Sequence, residues 1–69
     1  MIKIKRGIYR HKEYFLTRHS NNIDWIAVKE WDDAQRANNG AETRGGIAYI
    51  HNTLRDLVAW IDRNEGIAA

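Results

Sequence analysis

The chain has 69 residues, 43% of them hydrophobic, and a formal net charge of +2 at pH 7. A chain of this length is expected to form one domain with a small core. It contains no cysteine, which excludes disulfide bonds and thiolate metal sites. The histidines His11, His19 and His51 have no regular ligand spacing, so the sequence predicts no metal site and no cofactor.

The sequence also indicates where the protein is located. No run of about 18 apolar residues is present, so no transmembrane helix is predicted. The first six residues alternate apolar and basic side chains, and no continuous apolar stretch follows, which predicts no signal peptide. We therefore expect a cytoplasmic protein that does not associate with a membrane.

Three strands are predicted in the N-terminal half. Residues 2–10 begin with alternating Ile and Lys, which is typical of a half-buried strand, and Gly7 indicates a bulge within it. Residues 14–19 and 23–31 are rich in aromatic and β-branched side chains and predict the second and third strands. Short polar turns separate the three segments, so an antiparallel meander is expected.

Residues 32–46 predict a flexible loop, because Asn and Gly residues favour irregular backbone there. One helical turn capped by Asp32 is an alternative within this loop. The apolar run at 47–50 is a candidate for a short fourth strand.

The C-terminal segment predicts an amphipathic helix over about 53–65. Thr53 is suited to cap its first turn, and Gly66 is suited to end it. Apolar residues recur there at helical spacing and define one face: Leu54, Leu57, Val58 and Ile61. The predicted fold class is therefore α+β, with a three- or four-stranded antiparallel sheet and one C-terminal helix packed on one of its faces.

No constellation of catalytic residues is visible. The only serine, Ser20, adjoins His19 in a predicted turn, where a base and a nucleophile are seldom aligned. The acidic pair Asp32 and Asp33 suits the start of a helix rather than acid–base catalysis. The sequence thus predicts no enzyme, no catalytic residue and no small-molecule substrate.

The charge distribution suggests a nucleic-acid partner. Residues 1–20 hold six basic residues against one acidic residue, a charge of +5, whereas residues 21–69 have five against eight, a charge of −3. Cations interleaved with Tyr9, Tyr14 and Phe15 on the first hairpin are suited to phosphates and bases. The candidate nucleic-acid-binding residues are Lys3, Lys5, Arg10, Lys12 and Arg18. The alternative is that these charges are merely solvated and protect a sheet edge.

The tryptophans suggest a protein partner. Trp25, Trp31 and Trp60 are more tryptophan than a small core readily buries, so they are candidate interface residues. If the helix covers Ile26 and Val28, Trp25 and Trp31 are exposed on the other side of the third strand; the reverse assignment makes the tryptophans the core. We take interaction with a partner protein or with a second copy, as a homodimer, as the first interpretation. Binding of nucleic acid is the alternative.

Two stretches of the chain resemble a group of known sequences. These are residues 7–18, which read GIYRHKEYFLTR, and residues 52–62, which read NTLRDLVAWID. They resemble small uncharacterised proteins of bacteriophages, prophages and related mobile elements. The predicted topology is also similar to the three-strand-plus-helix DNA-binding modules of some phage-type integrases. The resemblance implies a binding or regulatory protein of phage type and names no catalytic residue.

Overall fold

The structure is a computed structural model that describes residues 1–66. Seven elements follow one another along the chain: β1 (Ile2–Lys5), β2 (Ile8–His11), β3 (Tyr14–Arg18), β4 (Trp25–Val28), α1 (Trp31–Asn38), β5 (Tyr49–His51) and α2 (Leu54–Gly66). The strands form one antiparallel sheet in the order β1-β2-β3-β4-β5. No helix in this part of the chain is long and apolar enough to cross a membrane.

The segment 2–10, predicted as one strand, forms two strands. β1 and β2 are joined by a tight turn at Arg6 and Gly7. Gly7 has a φ of +85°, which only glycine adopts readily, and the side-chain amide of Asn38 donates a hydrogen bond to the Arg6 carbonyl at 3.2 Å. The glycine therefore makes a turn, and the irregularity of the ladder lies between Lys3 and Lys5.

The two helices cover opposite faces of the sheet. On the face under α1, hereafter the α1 face, a core cluster is formed by Ile8, Ile26, Val28, Ala34 and Ala37. On the opposite face, hereafter the α2 face, the core cluster is Tyr14, Leu16, Ala27, Leu57 and Ile61. Because successive residues of a strand point to opposite faces, β4 contributes Ile26 and Val28 to one core and Ala27 to the other.

The predicted sheet of three or four strands with a single helix is wrong, although the α+β class is confirmed. The sheet has five strands, and α1 lies in the segment predicted as a loop. The eight residues of α1 are too few to be stable alone, so its formation depends on burying Ala34 and Ala37 against the sheet. Such tertiary stabilisation leaves only a weak signal in local sequence.

Asp33 joins α1 to the loop that follows it. Its side chain is 3% exposed, and its two carboxylate oxygens accept the backbone N–H groups of Arg44 at 2.8 Å and Gly45 at 2.9 Å. A buried carboxylate needs such donors, because each missing hydrogen bond costs on the order of 1–3 kcal/mol. This arrangement orders the loop and leads the chain back to β5.

Candidate functional site

Two of the candidate nucleic-acid-binding cations lie on the α2 face. Cross-strand partners in an antiparallel sheet point to the same face. Lys3 is opposite Tyr9, which is itself opposite the buried Leu16, and Arg18 is opposite Trp25. The sheet therefore places Lys3, Tyr9, Arg18 and Trp25 on one face, and we call these four residues the aromatic–basic surface.

The rings of the aromatic–basic surface are fixed by the core beneath them. Tyr9 and Trp25 are half-buried and pack against the core cluster under α2, with ring centroids 6.2 Å apart at an interplanar angle of 54°. The Arg18 guanidinium lies 5.2 Å from the centre of the Trp25 ring, and its Nη1 donates to the Ile23 carbonyl at 3.2 Å. From β1 to β4 the surface thus alternates cations and rings, in the order Lys3, Tyr9, Arg18 and Trp25.

Two further candidate cations point to the other side of the sheet. Lys5 is paired with Ile8, and Arg10 is paired with Phe15, so both lie on the α1 face. The Arg10 guanidinium lies 5.2 Å from the centre of the Phe15 ring. The two cations contribute to the charge of the N-terminal hairpin but do not contact the aromatic–basic surface.

The fifth candidate cation, Lys12, lies in the β2–β3 turn and has an acidic partner. Its Nζ is 3.2 Å from Asp62 Oδ1, which also accepts a hydrogen bond from His11 Nε2 at 2.6 Å. The hydrogen bond from His11, followed by that from Lys12, lowers the pKa of the Asp62 carboxyl below its ordinary value. Lys12 therefore holds α2 to the sheet, and its charge is already compensated.

The remaining charges of the N-terminal third are not compensated. Within residues 1–66 the only ion pairs are those of His11 and Lys12 with Asp62. Five cations of β1, β2, β3 and the first turn have no acidic partner among the described residues: Lys3, Lys5, Arg6, Arg10 and Arg18. They belong to β1, the turn after it, β2 and the end of β3, so this side of the sheet carries an excess of positive charge.

The three tryptophans do not form a common patch. Trp25 belongs to the aromatic–basic surface on the α2 face. Trp31 opens α1 instead of continuing a strand, and its half-buried ring packs edge-on against Phe15 at 5.2 Å on the α1 face. Trp60 lies on α2 and is 41% exposed. The choice between two faces of the third strand does not arise, because each face is covered by its own helix.

A small cleft on the α1 face contains the polar residues next to the β3–β4 turn. It has a volume of about 190 Å³, and its lining includes His19, Ser20 and Glu42. His19 Nδ1 accepts the backbone N–H of Asn21 at 2.9 Å, so the ring stabilises the turn. No hydrogen bond joins the side chains of His19 and Ser20 in the described part of the chain, nor do three or more potential metal ligands cluster there.

Sequence reasoning assigned Trp25 to a protein interface and missed its place beside the cations. A turn centred on the predicted residues 20–22 would bring residue 18 opposite residue 24. In the structure the backbone N–H of His19 donates to the Asp24 carbonyl at 2.8 Å, and Arg18 lies opposite Trp25. A shift of one residue reverses the face of a strand, so the predicted turn did not give this register.

Comparisons of the chain with protein-family models, with curated proteins and with solved structures gave no match in any of the three. The resemblance to phage and prophage proteins therefore stays a prediction.

Proposed function

We propose that this protein binds single-stranded nucleic acid on the aromatic–basic surface. The observation that supports this function is the placement of Lys3 and Arg18, which have no acidic partner in residues 1–66, on the same face of the sheet as the ordered rings of Tyr9 and Trp25.

The chemistry of the surface suits a flexible polyanion with accessible bases. Each base of a single strand has a face that stacks on an aromatic ring, at about 1–3 kcal/mol per base, and the cations neutralise phosphates. The bases of a duplex are stacked on one another, so the two rings favour a single strand. Because the rings are held by the core, little side-chain entropy is lost when a base stacks on them.

The test is a titration of a fluorescently labelled strand of about 12 nucleotides, followed by anisotropy at about 50 mM salt, where phosphate contacts are strongest. Wild-type protein is expected to bind the single strand more tightly than a duplex of equal length. The double variant Lys3→Ala/Arg18→Ala should weaken binding about tenfold or more. It should also reduce the slope of log K against log salt by about 0.7 for each phosphate that is no longer neutralised.

Two further variants separate stacking from charge. Tyr9→Leu keeps the apolar packing and removes a ring, so it should weaken binding without changing the salt slope. Arg44→Ala is the matched control, because Arg44 is an exposed cation of the loop after α1 and only its backbone N–H is used. No detectable binding by the wild type, or a loss for Arg44→Ala as large as that for the double variant Lys3→Ala/Arg18→Ala, would rule out the proposed function.

A further inference from the structure

A second stripe of residues runs along α2 on the side away from the core cluster. The sheet-facing stripe of this helix consists of Leu54, Leu57, Val58 and Ile61. The second stripe consists of Asp56, Ala59, Trp60 and Arg63, which have the same spacing of three, four and seven positions. Two positions separate the stripes, and two positions on an α-helix correspond to a rotation of about 200°. The second stripe therefore faces outward, and all four of its residues are exposed.

The outer stripe of α2 forms one wall of a shallow groove. The groove has a volume of about 310 Å³, and its other wall is the His51 ring at the end of β5. That ring lies 5.4 Å from the Trp60 ring, which is 41% exposed. A tryptophan anchored on one side and open on the other is the kind of residue that dominates protein interfaces.

The order of charges along the outer stripe allows two copies of the stripe to pair with each other. The stripe has an acid at one end, a base at the other, and Ala59 and Trp60 at its midpoint. When two such helices pack antiparallel about a twofold axis through that midpoint, residue 56 of one meets residue 63 of the other. Asp56 then faces Arg63 twice, and each Trp60 lies on the small Ala59 of the other copy. Neither Asp56 nor Arg63 has an ion-pair partner within residues 1–66.

From this self-complementarity we infer that the outer stripe of α2 binds the same stripe of a second copy of this chain, as an antiparallel helix pair. A twofold interface uses the same patch on both subunits, and this stripe meets that requirement in both charge and size. One stripe and the adjoining groove bury less surface than a standard interface, so the dimer is weak, with a Kd on the order of 10–100 µM. The inference does not depend on nucleic-acid binding, because the aromatic–basic surface is made by other residues.

The test uses charge reversal and mixing. Asp56→Arg places two arginines face to face at both ends of the interface, and Arg63→Asp places two aspartates there. Each variant alone should dimerise at least about tenfold more weakly than the wild type in sedimentation equilibrium. An equimolar mixture of the two variants should restore association, because each end of the mixed dimer again pairs an arginine of one copy with an aspartate of the other. A merely structural role of the two charges predicts no such rescue.

Control variants exclude effects on folding. Arg6→Asp makes the same charge change as Arg63→Asp at the opposite edge of the sheet, and it should leave dimerisation unchanged. If circular dichroism shows that either charge reversal disturbs α2, Ala59→Gln is used in its place as the variant that should prevent dimerisation. It replaces one exposed helix former by another and obstructs only the site where Trp60 of the second copy lies. A wild-type protein that stays monomeric at about 500 µM, or a failure of the mixture to associate, would overturn the inference.

Discussion

At the scale of single residues, two threonines show how one hydroxyl can act in opposite ways. Thr17 is fully buried in β3, and its Oγ1 has no hydrogen-bond partner among the described residues. Thr53 is exposed ahead of α2, and its Oγ1 accepts the backbone N–H of Asp56 at 3.1 Å. The first hydroxyl is desolvated without compensation, whereas the second satisfies a free N–H at the start of the helix.

Thr17→Val is therefore expected to stabilise the protein by about 1 kcal/mol, because valine keeps the shape and the β-branch and removes the unpaired hydroxyl. Thr53→Val is the matched control, and it should destabilise by about 1 kcal/mol through loss of the cap. Urea denaturation followed by far-UV circular dichroism measures both free energies of unfolding. A loss of stability in Thr17→Val would show that its hydroxyl is satisfied.

At the scale of elements, α2 is fastened to the β2–β3 hairpin at its C-terminal end. His11 and Lys12 contact Asp62, and the hydroxyl of the buried Tyr14 donates to Glu65 at 3.0 Å. Burial first, and then the hydrogen bond to Glu65, raises the pKa of Tyr14 to about 12. The phenol is therefore neutral and can donate throughout the physiological range. These polar contacts join the C-terminal end of α2 to the β2–β3 hairpin.

The Asp62 contacts predict a pH-dependent contribution to stability. The pKa of Asp62 is lowered in the folded protein, so its contribution is complete above the ordinary value of 3.8 and is lost as the pH falls through the lowered pKa. Asp62→Asn should destabilise the protein at neutral pH, and its difference from the wild type should shrink towards zero in acid. The midpoints of urea denaturation, measured from neutral pH down into acid, give the difference in stability between Asp62→Asn and the wild type. Glu13→Gln in the same hairpin is the control and should show no such trend; a constant difference for Asp62→Asn would contradict the assignment.

At the scale of the whole molecule, one sheet serves two cores. Its strands alternate between the cluster under α1 and the cluster under α2, so neither core exists without the other. In a chain this small the core supplies roughly 3–5 kcal/mol of stability in total, which is too little for each half of the core to fold independently. We therefore expect both sides of the sheet to unfold together as a single cooperative unit.

Single-tryptophan variants test this cooperativity. A variant that retains only Trp31 reports on the α1 face, and a variant that retains only Trp25 reports on the α2 face. Adding Ile61→Val, which should cost about 0.5–1.5 kcal/mol, removes a methylene from the α2 core alone. The urea transitions of both tryptophans should shift by the same free energy. A Trp31 transition that does not move would show that the two cores unfold separately.

Sequence reasoning predicted the parts of the fold that have strong local signals. The turns predicted at 11–13 and 20–22 overlap the segments that join β2 to β3 and β3 to β4. Both segments are short and polar, and Asn in the second favours turn conformations. The helix expected over 53–65 corresponds to α2 at Leu54–Gly66. α1 was predicted only as an alternative, a single turn capped by Asp32, whereas it has eight residues and follows Glu30; it becomes a helix only when its alanines are buried against the sheet. β1 and β2 were merged because one glycine fits a bulge and a turn equally well.

The sequence by itself determined the α+β class, the amphipathic C-terminal helix and the excess of positive charge near the N-terminus. Those properties are local, or are sums over residues, and need no knowledge of which segments meet. Only the tertiary structure decided that the two faces of the sheet are covered by different helices, that Lys3 and Arg18 join Tyr9 and Trp25 on one face, and that Lys12 is neutralised by Asp62. The physical reason is that strand register and helix placement depend on contacts between residues that are distant in the sequence. The periodicity of apolar residues indicates which side of a strand or helix a residue lies on, but it does not show which residues it contacts there.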